Sequence, residues 1–233
     1  MIIAYFSATG NTQHLCTKLA EGLGISSVSL ESLQVIEQLA LHQQIIIAFP
    51  IYGSTMPENI NGFIKDHQSL WKDKEIFVLV TCGFIYGSAI ANTSALFSQY
   101  GATIIGSEAF VMPDNIGDSQ LIYTLLPPKR NTLVLQKADQ KLETLITNIR
   151  QGNYPLVGVN KKVKESHYKT VQIKVDRSKC HNCGLCRINC PSPDHCISCY
   201  RCFNICPQRA ITIIGKKVLT QYLHPDFKVK SPR

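Results

Sequence analysis

The chain has 233 residues, 45% of them hydrophobic and 17% charged, with a formal net charge of +8. That apolar content is enough for one large core or two modest ones and excludes a disordered or coiled-coil chain. No apolar run nears the roughly 20 residues of a bilayer span. The opening Met1-Ile2-Ile3-Ala4-Tyr5-Phe6 carries no basic leader, so a soluble, cytoplasmic protein is expected.

Charge and cysteine are unevenly spread. Residues 1–150 carry 9 Lys and Arg against 12 Asp and Glu, net −3; residues 151–233 carry 15 against 4, net +11. Cys16 and Cys82 stand alone in the first part, and the other eight cysteines fall between 180 and 206. The shift predicts an α/β domain at 1–152, a basic linker at 153–170, a cysteine-built domain at 171–215 and a basic tail at 216–233.

In chain order, apolar runs occur at Ile2–Phe6, Ile45–Phe49, Ile76–Val80 and Ala102–Ile105. They do not alternate with polar residues, which suits strands covered on both faces of a parallel sheet. The serine-rich Ser26–Leu30 reads as a weak edge strand. Between these runs, Leu15, Leu19 and Leu23, and later Leu135, Ala138, Leu142, Leu145 and Ile149, recur at helical spacing. Pro57-Glu58 has the chemistry of a helix start, and Gly152 with Pro155 that of a helix end. The alternation predicts a doubly wound α/β domain with five parallel strands.

The first strand runs into Ser7-Ala8-Thr9-Gly10-Asn11-Thr12, and a helix follows. Three hydroxyls, a glycine and the free amides of a helix start make a phosphate pocket. The loop has no lysine and is not a Walker A motif; no G-x-G-x-x-G occurs anywhere, so nothing supports a nicotinamide site. A simple Ser/Thr helix cap is the bland alternative, and the alternation of the whole domain weighs against it.

Here residues 1–150 resemble a flavodoxin, whose Ser/Thr-x-Thr-Gly-Asn-Thr loop holds the phosphate of FMN. The resemblance implies strand order 2-1-3-4-5, with the flavin ring over Pro50-Ile51-Tyr52-Gly53-Ser54 and Thr81-Cys82-Gly83-Phe84-Ile85-Tyr86-Gly87. Tyr52 in one loop and Phe84 or Tyr86 in the other are candidates to stack on the ring. Flavodoxins proper are strongly acidic, whereas this domain is only −3. Cys82 is either a flavin contact or a small buried hydrophobe, with the second favoured, and Cys16 is core.

The basic Lys161–Lys169 reads as an exposed linker. Val171, Ile173 and Val175 alternate with polar residues as a short strand, and Ile211–Ile214 offers a partner for it. Between them stand Cys180-x2-Cys183-x2-Cys186-x3-Cys190-Pro191 and Cys196-x2-Cys199-x2-Cys202-x3-Cys206-Pro207, an internal repeat at a spacing of 16 residues. Disulfides would need an oxidising compartment. Structural zinc draws one cysteine pair from each of two separated knuckles, which is not this pattern. Triplets at x2 spacing suit a compact iron–sulfur cube, and Gly184 lets backbone come close to it.

This region resembles a bacterial-type two-cluster ferredoxin, which implies a small α+β domain with two 4Fe–4S clusters. In that family the fourth cysteine of each run crosses over. Cluster one would then take Cys180, Cys183, Cys186 and Cys206; cluster two would take Cys196, Cys199, Cys202 and Cys190. Only Pro191–His195 separates the runs here, too few residues for the family's usual hairpin. His181 and His195 read as loop histidines rather than ligands.

The whole chain, including Tyr222, His224 and Pro225 of the tail, resembles fused flavodoxin–ferredoxin proteins of anaerobic microbes. That implies electron transfer between FMN and two 4Fe–4S clusters, as a shuttle or reductase for a partner enzyme. No general acid, nucleophile or nicotinamide motif accompanies the cofactors, so any catalysis would be oxidoreductase chemistry. The competing reading is a binding or assembly protein with structural clusters. Two clusters at −2 each would leave about +7 on the C-terminal part, which favours redox partners with acidic docking surfaces. Aromatics are sparse among the lysines, which speaks against nucleic acid.

Overall fold

The computed structural model describes residues 1–115, 130–162, 170–215 and 220–231. Five strands, β1 (Ile2–Tyr5), β2 (Ser26–Ser29), β3 (Gln44–Pro50), β4 (Glu75–Cys82) and β5 (Thr103–Val111), form one parallel sheet in the order β2-β1-β3-β4-β5. The register is tight at the centre, where Ile47 of β3 pairs with Ala4 of β1 and with Val78 of β4. Successive side chains of a strand point to opposite faces. Ile45, Ile47 and Phe49 therefore enter one core with Ile76, Val78 and Val80, while Ile46 and Ala48 enter the other with Phe77 and Leu79.

Helices α2 (Val35–Ala40), α3 (Glu58–Asp66) and α4 (Ala89–Gln99) cover the first face, with the 3₁₀ turn Gln68–Trp71. Helices α1 (Asn11–Leu23) and α5 (Arg130–Arg150) cover the second, through Leu15, Leu19, Leu142 and Leu145. This is the expected flavodoxin-like arrangement, with the serine-rich β2 at the sheet edge. Pro57 stands at the cap of α3, and Glu58 is the first helical residue. Strand β5 runs well beyond the expected Ala102–Ile105 because its polar residues are buried with partners. Glu108 accepts from Lys141 Nζ at 2.7 Å, and Ser107 Oγ donates to the Val157 carbonyl at 2.9 Å.

Residues 155–157 run beside β5, where Ser107 N–H donates to the Pro155 carbonyl and Val157 N–H to the Ser107 carbonyl. Of the expected exposed linker, Lys161 lies over the Tyr86 ring at 3.8 Å, and 163–169 fall outside the described residues. Beyond it, β6 (Ile173–Val175) and β7 (Ile211–Ile213) pair antiparallel, with the short helices α6 (Leu185–Ile188) and α7 (Arg201–Ile205) between them. Among the described residues, no helix is long and apolar enough to cross a membrane.

Candidate functional site

The C-terminal ends of β1, β3, β4 and β5 surround a cavity of about 310 Å³ at the point where the strand order reverses. At one end lies the loop from Ser7 to Thr12, whose Ser7, Thr9 and Thr12 are all buried. Ser7 Oγ accepts from Gly10 N–H at 3.2 Å, and Thr9 Oγ1 accepts from Asn115 Nδ2 at 2.9 Å. Each hydroxyl is an acceptor in these bonds, which leaves its own proton to give to an anion. Thr12 Oγ1 and Thr81 Oγ1 share one hydrogen bond at 2.8 Å. No side chain caps α1, and among the described residues the only charged one on the cavity wall is Asp114. The described residues offer an anion here amides and hydroxyls. These donors fit the phosphate of FMN.

Of the residues expected at the flavin, the cavity is lined by Ser7, Ala8, Thr9, Asn11, Thr12, Pro50, Ile51, Tyr52, Gly53, Thr81, Cys82, Gly83 and Phe84. Gly10, Tyr86 and Gly87 are not on its wall. Gly10 holds a φ of +102° on the outer side of the loop, where a Cβ would come within 2.6 Å of His224 Cβ. Tyr86 packs on Gly158 under Lys161, so between the two aromatics of its loop it is Phe84, 69% exposed, that stands at the rim. Tyr52 is buried and also lines the cavity. Cys82 is buried, its thiol donating to the Phe110 carbonyl at 3.7 Å, and burial pushes its pKa up to about 11. It is both a small hydrophobe and part of the wall.

Sequence reading missed the loop Met112-Pro113-Asp114-Asn115, which also lines the cavity. Asn11 Nδ2 donates to the Pro113 carbonyl at 2.7 Å, tying this loop to the first. Turn residues at the end of a fifth parallel strand, on the same rim as the other loops, were the available signal.

The cysteine repeat is written in the backbone as well. Asn182 and Gly184 in the first run, and Ser198 and Tyr200 in the second, all take positive φ, at positions 16 residues apart. Gly184 and Tyr200 each open one of the two short helices. None of the ten cysteines is in a disulfide. Burial raises the Cys186 pKa, and the neighbouring Cys183 and Cys206 raise it further. Burial also pushes Cys199 up to about 11 and Cys202 up to about 12, and in both cases Cys190 and Cys196 add to the shift. Cys206 is thus an electrostatic neighbour of Cys186 in the first run, and Cys190 a neighbour of Cys199 and Cys202 in the second.

Among the described residues, the one trio of potential metal-ligand atoms lying within 4.8 Å of one another is His14, His224 and Asp226. His195 lies 3.0 Å from the Glu58 carboxylate, a contact between exposed side chains.

Residues 2–92 match the family model of the flavodoxin domain, and residues 191–212 match that of the 4Fe–4S binding domain. The chain carries a flavodoxin domain followed by a 4Fe–4S binding domain. Among solved structures it is similar to two-electron reduced Megasphaera elsdenii flavodoxin, at 24% identity over 51% of this chain and 92% of that one, with a TM-score of 0.45. It is also similar to the Trp repressor binding protein of Bacillus subtilis, at 17% identity, covering 71% and 100%, with a TM-score of 0.46. A flavodoxin from the domain Archaea matches at 14% identity, covering 64% and 97%, with a TM-score of 0.43. No curated protein matches the chain.

The 4Fe–4S domain is bolted to the flavodoxin domain at the Ser7–Thr12 loop. Arg201, between Cys199 and Cys202, has a side chain only 6% exposed. Its Nε donates to the Ala8 carbonyl at 2.8 Å, and one terminal nitrogen donates to the Ser7 carbonyl at 2.7 Å. Glu31, just after β2, accepts from both terminal nitrogens at 2.8 Å, and the Asn189 carbonyl accepts the fifth bond at 2.9 Å. Burial alone would lower the Arg201 pKa, but Glu31 more than offsets it and the net shift is upward. Cys199 and Ile197 join the same apolar cluster as Ala8, Ile51 and Tyr52 of the cavity wall.

The basic tail also takes part, which its composition did not reveal. His224 N–H donates to the Thr9 carbonyl at 2.8 Å, and the Tyr222 hydroxyl donates to Asn11 Oδ1 at 2.8 Å. His14 on α1 bridges Asp226 of the tail and Asp139 of α5, at 2.9 and 3.0 Å.

Proposed function

We propose that this protein is an electron-transfer flavoprotein that holds one FMN in the cavity and two 4Fe–4S clusters on the crossed cysteine sets. The observation that carries the reading is the seating of the second set against the cavity wall, with Cys199 and Tyr52 in one apolar cluster and Arg201 on the phosphate loop. When bound, FMN supplies one- and two-electron chemistry and each cluster one-electron chemistry. Ser7, Thr9 and Thr12, with the first amides of α1, hold the FMN phosphate. Phe84 and Tyr52 border the ring end of the cavity, and Ile51 and Met112 exclude water from it.

The first cysteine set faces outward. Lys174, Arg177, Lys179, Arg187 and Arg209 are exposed around it, and Asp176, the one carboxylate among the described residues of this stretch up to Arg187, is paired with Lys179. Such a collar suits a small acidic redox protein, whose approach it would steer in a salt-dependent way. The partner enzyme lies beyond that docking face.

The test is an anaerobic redox titration of the purified protein followed by visible absorbance and EPR. The reading expects about eight irons and one FMN per chain, with flavin and iron signals that both titrate reversibly. Stoichiometric zinc, a protein that takes up no flavin, or iron that stays redox-silent would each overturn it.

A further inference from the structure

We propose that Arg201 couples the second cysteine set to the phosphate loop, so that loading this set with iron and sulfide strengthens FMN binding. The inference rests on the proposed function and adds a dependence between its two sites. All five guanidinium donors of Arg201 are used, which makes its position unusually well determined. The rings of Phe6, at the end of β1, and Phe227, in the tail, flank it at 5.7 Å each.

Two of the five bonds end on the carbonyls of Ser7 and Ala8. A trans peptide sets its C=O and the next N–H on opposite sides. Holding these carbonyls against Arg201 therefore turns the N–H groups of Ala8 and Thr9 away from it, as an anion-binding loop requires. Arg201 fixes the phosphate loop in its working orientation.

What fixes Arg201 is the second cysteine set. Cys199 and Cys202 flank it in sequence, and the Asn189 carbonyl that accepts its fifth bond precedes Cys190. A metal centre on these cysteines would pin the backbone on both sides of the guanidinium. Empty, the segment must hold the same geometry against its own conformational entropy. The first set reaches the loop by a longer route, through Gln221 on the Cys206 carbonyl and then Tyr222 on Asn11. Coupling of this kind is reciprocal, so FMN would also favour retention of iron on the second set.

The test uses the full chain, loaded anaerobically with iron and sulfide, and reads the FMN dissociation constant from quenching of flavin fluorescence. C190S/C196S should bind FMN about tenfold or more weakly than wild type, within the roughly 5–150-fold range of coupled sites, and C180S/C183S less than about threefold. Removing Arg201 alone would leave Glu31 without its cation, so the variant of choice is R201Q/E31Q, checked for folding by circular dichroism. It should bind FMN about tenfold or more weakly and no longer respond to iron loading of the second set. Equal FMN affinity in the loaded and cysteine-depleted forms overturns the coupling and leaves the proposed function standing. So does an R201Q/E31Q protein that still responds to iron. Failure of the loaded wild type to bind FMN overturns both.

Discussion

Replacing Gly10 by alanine tests whether the tail sits on the phosphate loop. Gly10 holds a φ of +102°, and its added Cβ would meet His224 Cβ at 2.6 Å and Phe227 Cβ at 2.8 Å. The left-handed backbone alone costs a non-glycine residue about 1–2 kcal/mol. Both clashing atoms are attached directly to backbone, so no rotamer change relieves the contact, and overpacking of this kind costs about 1–3 kcal/mol. G10A should therefore lose about 2–5 kcal/mol in the full chain. The two parts separate when the substitution is made in a chain truncated after Gln221. There the steric part has nothing to clash with, and about 1–2 kcal/mol should remain. The assay is denaturant unfolding of the four proteins, followed by far-UV circular dichroism, with the difference of differences as the readout. Equal penalties in the two backgrounds would refute the reasoning, because the tail would then not be what Gly10 makes room for.

Three further outcomes follow from the same geometry. T9V removes a hydroxyl proton aimed at an anion, worth about 1.5–3 kcal/mol, and should weaken FMN binding roughly 10- to 150-fold in a fluorescence titration; T12V should lose less, because Thr12 already shares its hydroxyl hydrogen bond with Thr81. F84A should weaken FMN binding and change the absorbance of bound flavin, whereas Y86A should leave both alone, since Tyr86 packs on Gly158 outside the cavity. The His224 pKa is lowered, by burial first and the nearby His14 second, and the carboxyls of Asp139 and Asp226 also lie below their ordinary value, held there by their hydrogen-bond partners. Groups with a depressed folded pKa take up protons more readily when unfolded, so the stability they contribute is present above the unfolded pKa and lost as pH falls through the folded one. Docking of the tail should therefore weaken from about pH 6.5 downward, first through His224 and then through the two carboxyls, as limited proteolysis at the C-terminus would report.

Four of the five strands were legible because a parallel sheet covered on both faces demands runs such as Ile45–Phe49, and the serine-rich β2 was legible because an edge strand tolerates polar residues. The same logic failed at the far half of β5. Ser107 and Glu108 look like solvent-facing residues, and only Val157 and Lys141, tens of residues away, make their burial tolerable. The cysteine sets were legible because metal ligation imposes a local spacing on the sequence. Their crossed grouping came with the family resemblance and belongs to the proposed function.

Arg201 and the tail were not legible, and the reason is chemical. Arg201 donates to the carbonyls of Ser7, Ala8 and Asn189, and His224 N–H donates to that of Thr9. Every residue has a carbonyl, so a contact to backbone leaves no mark on the residue type at the accepting position. What does leave a mark is the cost of burying the donor. An arginine inside a metal-binding loop, two residues from one ligand and one from the next, must either turn outward to solvent or find five acceptors and a counter-charge. Glu31 provides the counter-charge from the loop after β2. A charged residue in the middle of a cysteine motif thus poses a question that its own domain cannot answer, and here the neighbouring phosphate loop answers it.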